Sequence, residues 1–244
     1  MPDYSIVLNS YKSCLNDDPS CLEGWRRLAQ AYELFLNFNE SLPIWEKVVR
    51  FDPSSLDSRI SLAIAQRNTS QYKQARESMA IAIGLYPESV AARFNQAWTM
   101  LRSGDIAQSV SEQATGKLLS KVVALAREGK CVSDLDYSLA AYASYISSYN
   151  DYDALIRKWK AAFPVSSRRS NSLGVRACDY NDFTSAECHF KEGVTANPFD
   201  LDVLRNLAEL FVFKVDATCK EKYWLRRLRE VEEWHFNPTR ILHD

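Results

Sequence analysis

The residues best suited to metal binding or catalysis in this chain are Cys178, Cys188 and His189. Neighbours on a helix point to different faces, so Cys188 and His189 would not converge on one ion, and Cys178 lies across the preceding turn. The sequence has three histidines and lacks a glycine-rich phosphate loop, a His-Glu-x-x-His pair and a Gly-x-Ser-x-Gly elbow. We therefore predict that the chain is not an enzyme, with no catalytic residues, no metal site and no cofactor.

A basic run near the end of the chain is the second candidate for chemistry. Basic residues interleaved with aromatic ones can contact phosphates and stack on RNA bases. The apolar residues of this run also recur at helical spacing, so its basic residues fit the solvent-exposed face of a terminal capping helix. The run consists of Lys220, Lys222, Tyr223, Trp224, Arg226, Arg227 and Arg229.

Charge and hydropathy narrow the classes of partner. Lys and Arg number 30 against 31 Asp and Glu, so the net charge of −1 gives no overall attraction for nucleic acid or anionic membranes. No apolar run reaches the roughly 18 residues that a membrane span needs, and the start of the chain lacks the pattern of a secretory signal. The six cysteines are scattered without a Cys-x-x-Cys pair. We predict a cytoplasmic protein with free thiols and no membrane partner.

The prolines reveal an internal repeat. Pro19, Pro53 and Pro87 are spaced 34 residues apart, and Pro164 and Pro198 repeat that interval. Each proline follows a stretch with apolar residues three and four apart, which predicts helices that end near the prolines. A fixed period of this length predicts a helical-repeat protein.

The side chains within one period carry a family resemblance. Trp25, Leu28, Ala29, Tyr32, Ser41, Trp45 and Pro53 follow one another at the spacing of the signature W-x2-L-G-x2-Y…A-x3-F…P. The chain thus resembles the tetratricopeptide repeat (TPR) family. The resemblance implies an all-α, right-handed superhelical solenoid of stacked antiparallel helix pairs, whose first helices line a concave inner face.

The period divides residues 1–244 into the repeats of one solenoid. We predict repeats near 22–55, 56–89, 90–129, 136–166, 167–200 and 201–236. The third is degraded and has a long second helix, because the interval from Pro87 to Pro164 exceeds two periods by nine residues. A joint between two sub-blocks is predicted at 116–135. The fourth repeat admits two registers, and we prefer the one with a shortened end that uses Leu139, Tyr142, Ala143, Leu155 and Trp159.

The repeat also predicts which residues share the inner face. One period maps Arg26 onto Ile60 and Phe94, and Gln30 onto Ile64 and Trp98. These positions predict an apolar strip on the first helices of the early repeats, which Leu101 extends. A packing role against the long helix is the alternative for Phe94 and Trp98.

Arginines outnumber acidic residues on the same helices. Arg67 and Arg102 join the predicted groove, and Arg59 and Arg93 lie on the same first helices. We predict a protein or peptide ligand, acidic with an apolar anchor, bound by a scaffold or adaptor. Two alternatives are a docking or regulatory region of a larger enzyme and a helical-repeat RNA binder, the latter disfavoured by the net charge. The sequence does not fix the oligomeric state.

Overall fold

A computed structural model describes residues 5–34, 36–103, 108–147, 151–213, 226 and 228 of the chain. Within these residues it contains twelve α-helices and no strand, so the predicted all-α fold is confirmed. The chain divides into two compact units between Lys130 and Cys131. No helix in the described part of the chain has the length and apolar character to cross a membrane. Most of the basic run and the second helix of the predicted 201–236 repeat lie outside the described residues.

The first unit contains seven helices over its described ranges. They are α1 (Ser5–Asp17), α2 (Leu22–Leu34), α3 (Phe38–Phe51), α4 (Leu56–Asn68), α5 (Tyr72–Leu85), α6 (Val90–Arg102) and α7 (Gln108–Arg127). Each helix packs against the next, and α4 also packs against α6. Helix α7 has 20 residues and is the longest helix in the described part of this unit.

The second unit contains five helices over its described ranges. They are α8 (Asp134–Ser147), α9 (Tyr152–Ala162), α10 (Ser167–Asp179), α11 (Phe183–Ala196) and α12 (Leu201–Phe213). Again each helix packs against the next, and α10 also packs against α8 and α12. Helix α9 has 11 residues against 14 in α11. Leu155 and Trp159 on α9 are buried, whereas Tyr142 on α8 is 44% exposed.

The turn that joins two helices of a pair follows one local rule. Leu36, Ser70 and Asn181 have left-handed backbone conformations, with φ of 56°, 63° and 58°. After each of them, the next backbone N–H donates to the carbonyl oxygen five residues earlier, as Asn37 does to Tyr32. This is the Schellman arrangement, which satisfies carbonyls that a helix end leaves free.

The turns between successive pairs are held by a repeated side-chain hydrogen bond. Arg59 and Arg93 each donate from Nε to the carbonyl oxygen of the proline six residues earlier, at 2.6 and 3.2 Å. Trp25 makes the same contact from Nε1 to the carbonyl oxygen of Pro19 at 2.9 Å. The period thus places a donor at the start of α2, α4 and α6 to hold the turn before each of them. Arg59 and Arg93 are accordingly engaged in turn structure.

Small residues allow the helices to approach closely. Ala29 and Ala63 are fully buried. A Cβ added to Gly174 on α10 would lie 2.4 Å from Cε1 of Phe190 on α11, closer than two carbon atoms can pack. Phe190 is itself 1% exposed, so its ring has little room to withdraw. Gly174 therefore fits the ring of Phe190 against the α10 backbone.

Candidate functional site

The first helices of the early repeats carry the predicted binding residues, and two of these residues belong to the core. Ile60 and Phe94 are 9% and 8% exposed. Ile60 lies in a cluster with Ala63, Met79 and other buried side chains of α4 to α6. Ile64 is half-buried against the same cluster. Ile60 and Phe94 are therefore core positions and not exposed groove residues.

Arg26 on α2 is engaged within the protein. Its Nη2 lies 2.9 Å from Oδ2 of Asp52 and its Nε 3.3 Å from Oγ of Ser58. The guanidinium therefore ties α2 to the turn that precedes α4 and to α4 itself. Gln30, one turn further along α2, is exposed.

Glu33, in the last turn of α2, is a half-buried carboxyl group that the sequence did not single out as a site residue. Its Oε1 accepts a 2.7 Å hydrogen bond from Nε1 of Trp45 on α3. Burial raises the pKa of Glu33 to about 7, although the bond from Trp45 acts in the opposite direction. Glu33 is thus a group on this face that titrates near neutral pH.

Arg67, in the last turn of α4, is a half-buried cation. Burial and then the positive charge of Arg102 lower the pKa of Arg67 to about 10. Its hydrogen-bond partner is Asn95 on α6, with 3.4 Å between Nη1 and Oδ1. Within the described ranges, no carboxylate forms an ion pair with Arg67 or Arg102. Among these residues, Asn95 is the hydrogen-bond partner of the guanidinium, and it is neutral.

The residues around Arg67 come from one stripe of α6. Asn95, Trp98 and Arg102 are spaced three and four apart, which places them on the same side of the helix. Trp98 is half-buried and stacks on Phe94, with ring centroids 6.2 Å apart and an angle of 13° between the planes. Leu101 is 45% exposed and Arg102 is also exposed. We call Arg67, Asn95, Trp98, Leu101 and Arg102 the α4–α6 face.

The α4–α6 face presents cationic and aromatic groups side by side. Two arginines offer donors for a carboxylate or phosphate group, and guanidinium groups bind such groups with two parallel hydrogen bonds. Trp98 offers an aromatic surface held in place by Phe94 beneath it. The face thus combines cations with an apolar anchor point.

The candidate metal residues of the sequence lie in the second unit. Cys178 is half-buried on α10, and Cys188 is exposed on α11. His189 Nδ1 lies 3.5 Å from Oε2 of Glu192. In the part of the chain that the structure describes, no three His, Cys, Asp or Glu side chains are grouped as metal ligands. That the purified chain carries no stoichiometric metal stays a prediction, which elemental analysis would test.

Comparison with known proteins identifies the fold. No protein-family model matches the sequence, and no curated protein sequence matches it. Among solved structures, the TPR protein TTC0263 of Thermus thermophilus matches with a TM-score of 0.60 and 11% identity, over 79% of this chain and 100% of that chain. Human IFIT1, solved as a dimer with PPP-AAAA, matches with a TM-score of 0.58 and 16% identity, over 91% of this chain and 54% of its own.

A third solved structure has a similar fold. A chain of the APC/C hetero-tetramer Cut9–Hcn1 has a TM-score of 0.57 and 15% identity, over 93% of this chain and 43% of its own. This chain therefore spans about half the length of the IFIT1 and Cut9–Hcn1 chains. At these identities the likeness concerns the fold, and the protein has a TPR-like, all-α helical-repeat fold.

Proposed function

We propose that this protein is a scaffold or adaptor that binds a peptide or helix of a partner protein on its α4–α6 face. The partner segment carries a carboxylate or phosphate group that meets Arg67 and Arg102. It also carries a large apolar side chain that packs on Trp98 and Leu101. The proposed role is binding without catalysis, and its proposed setting is the cytoplasm.

The half-buried charge of Arg67, which no carboxylate of the described residues pairs, is the observation that supports this proposal most strongly. A half-buried guanidinium is costly without a counter-charge, and Arg102 adds repulsion. Asn95 supplies an acceptor to Arg67 but no negative charge. An anionic ligand would supply that charge at a place where solvent is already partly excluded, where each ionic hydrogen bond is stronger than on an open surface.

The stacking of Trp98 supports the apolar part of the proposal. The ring of Phe94, one turn earlier on α6, stacks on the indole of Trp98 and restricts it, so Trp98 should lose little conformational freedom when a ligand covers it. Leu101 lies one turn further along α6 and is 45% exposed. Rigid aromatic residues beside arginines are the usual centres of binding energy at protein interfaces.

Two other functions must be distinguished from peptide binding: RNA binding, and docking within a larger enzyme. Cut9–Hcn1 is a hetero-tetramer, and IFIT1 was solved as a dimer with PPP-AAAA. An RNA ligand would also contact arginines, but it would bind through phosphates along its length with a steep dependence on salt. A docking region of a larger enzyme would use the same face, and the length of the natural open reading frame would separate that case.

Selection from a displayed library of random peptides tests the proposed function. We expect the wild-type chain to enrich peptides that hold one large apolar residue flanked by Asp or Glu. The same selection with the Trp98→Ala variant should lose these peptides. An oligonucleotide with a 5′ triphosphate, added as competitor, should not displace them at physiological salt.

Matched variants locate the binding site. Trp98→Ala should weaken binding by about 2 kcal/mol, and Arg67→Ala should weaken binding of an acidic peptide by about 1.5 kcal/mol and also reduce the dependence of affinity on salt. Arg50, 80% exposed on α3, provides the control: Arg50→Ala makes the same charge change away from the face. Thermal melts of each variant check that the fold is kept. Equal losses for Arg50→Ala and Arg67→Ala would reject this face as the binding site.

A further inference from the structure

The second unit contains a cavity of about 570 Å³ beside the turn between α9 and α10. Its polar wall includes Ser166, Arg169 and Ser170, which are 6%, 8% and 4% exposed. Helix α11 forms the opposite wall and contributes Cys188 and Lys191. A volume of this size lies within the range of small-molecule sites, which is roughly 300 to 1,000 Å³.

Arg169 is a buried cation in the wall of this cavity. Its Nη1 donates to the carbonyl oxygen of Phe163, and its Nη2 donates to that of Pro164 at 2.8 Å. These bonds use two of the five N–H donors of a guanidinium. Among the described residues no carboxylate forms an ion pair with Arg169. Both of these partners are neutral backbone carbonyl groups, so Arg169 holds the turn between α9 and α10 without losing its charge to a carboxylate.

Two lysines add positive charge. Lys160, from α9, and Lys191, from α11, both line the cavity, and Nζ of Lys191 lies 2.7 Å from Oε1 of Glu187. Glu192 is the one acidic residue among the described lining residues, and its Oε2 lies 3.5 Å from Nδ1 of His189. Because Glu187 pairs with Lys191, three cations at the cavity stand against two carboxylates, and the balance of charge remains positive and favours an anion.

The rest of the wall is apolar. Pro164, Val165, Cys188 and Ala196 line the cavity, and Val165 is 77% exposed at its edge. An inorganic anion alone would leave this surface uncovered. The ligand that fits has a charged head group joined to a small apolar body.

We propose that this cavity binds a small phosphate monoester, with the phosphate group beside Lys160, Arg169 and Lys191. Such a group carries about −1.5 to −2 charges at neutral pH, which suits three cations better than the single charge of a carboxylate. Its oxygens accept from arginine and lysine, and the hydroxyl groups of Ser166 and Ser170 line the same wall. The proposal is independent of the α4–α6 face, because all these residues belong to the second unit.

Calorimetric titration of the full chain with four probes tests the chemistry of the site. We expect phenyl phosphate or AMP to bind at least about tenfold more tightly than benzoate, and phenol not to bind. Preference for phenyl phosphate would assign the cavity to aryl phosphates, and preference for AMP would assign it to nucleotides. Equal binding of benzoate and both phosphates, or equal binding of phenol, would overturn the proposal.

Charge-matched lysine variants and the alkylation rate of Cys188 test whether the phosphate binds in this cavity. The double variant Lys160→Gln, Lys191→Gln should bind the phosphate about tenfold or more weakly than the wild type. Lys158→Gln makes the same kind of change on α9 at a residue that does not line the cavity, and it should leave binding unchanged. The better-binding phosphate should slow alkylation of Cys188, but not that of exposed Cys14 in the first unit. Equal effects of all the lysine variants, or no protection of Cys188, would show that the phosphate binds elsewhere.

Discussion

Nε1 of Trp45 donates a 2.7 Å hydrogen bond to Oε1 of Glu33 and so joins the end of α2 to the middle of α3. The bond satisfies the indole of a side chain that is 2% exposed. It also holds a carboxyl group where water is largely excluded, which favours the protonated form. One repeat therefore contains a group whose charge changes near neutral pH.

The raised pKa of Glu33 predicts a pH dependence of stability. The folded-state pKa of about 7 exceeds the ordinary value of 4.5, so the folded protein binds the extra proton between these values. The stability gained at low pH is therefore lost as pH rises through 7. Glu33→Gln, whose amide oxygen can still accept from Trp45, should raise the free energy of unfolding at pH 8 by about 1 kcal/mol, a value discounted for solvent contact.

Denaturant unfolding at pH 5 and pH 8 measures this effect. The Glu33→Gln variant should gain stability over the wild type at pH 8 and show little or no gain at pH 5. Glu40→Gln, an exposed position on α3, is the charge-matched control and should follow the wild type at both values. If Glu33→Gln and Glu40→Gln behave alike, the Glu33 carboxyl does not titrate as stated.

Two helical glycines should respond in opposite ways to an added methyl group. Gly174→Ala places Cβ 2.4 Å from the ring of Phe190, so overpacking should cost about 1 to 3 kcal/mol. Gly116, inside α7, has no atom within 4 Å of the same position. Gly116→Ala should therefore stabilise the chain by about 0.5 to 1 kcal/mol through better helix propensity. Thermal or denaturant unfolding of both variants makes the comparison, and losses of similar size would refute the crowding at Gly174.

Substitutions at two left-handed turn residues should change stability in opposite directions. Leu36 has φ of 56° and its side chain is 77% exposed, so it has backbone strain and little packing to offset it. Leu36→Gly should raise the free energy of unfolding by up to about 1 kcal/mol. Gly129 follows the end of α7 with φ of 81°, and Gly129→Ala should lower that free energy by about 1 kcal/mol. Unfolding curves that shift in the same direction for both variants would contradict this account of the turns.

The sequence predicted the fold because a 34-residue period fixes which positions are equivalent. The signature residues of one repeat, such as Trp25 and Trp45, then predict helix pairs throughout the chain. Periodicity does not give the distance between adjacent helices, which depends on side-chain volume on both sides. Ile60 and Phe94 map onto Arg26 in the repeat, yet they fill the core, whereas Arg26 bonds to the turn before α4.

The 34-residue period also predicted part of the candidate site. Arg67 and Arg102 could be placed on first helices from the period alone. The contact of Arg67 with Asn95 depends on how α4 and α6 pack, which the repeat pattern does not specify. The burial of Glu33 against Trp45 depends likewise on the angle between α2 and α3. A carboxylate in the last turn of a helix ordinarily indicates a solvated position, so nothing in its spacing marked Glu33.

A double-mutant cycle between Arg67 and the acidic residue of a selected peptide tests the central claim most directly. Affinities are measured for wild type and Arg67→Ala, each with the acidic peptide and with its amide analogue. We predict a coupling free energy of about 1.5 kcal/mol or more, because the pair would form at a partly desolvated site. We also predict that Trp98→Ala weakens both peptides to the same extent. Additive effects of the Arg67 and peptide changes, with no coupling, would contradict the assignment of the α4–α6 face as the binding site.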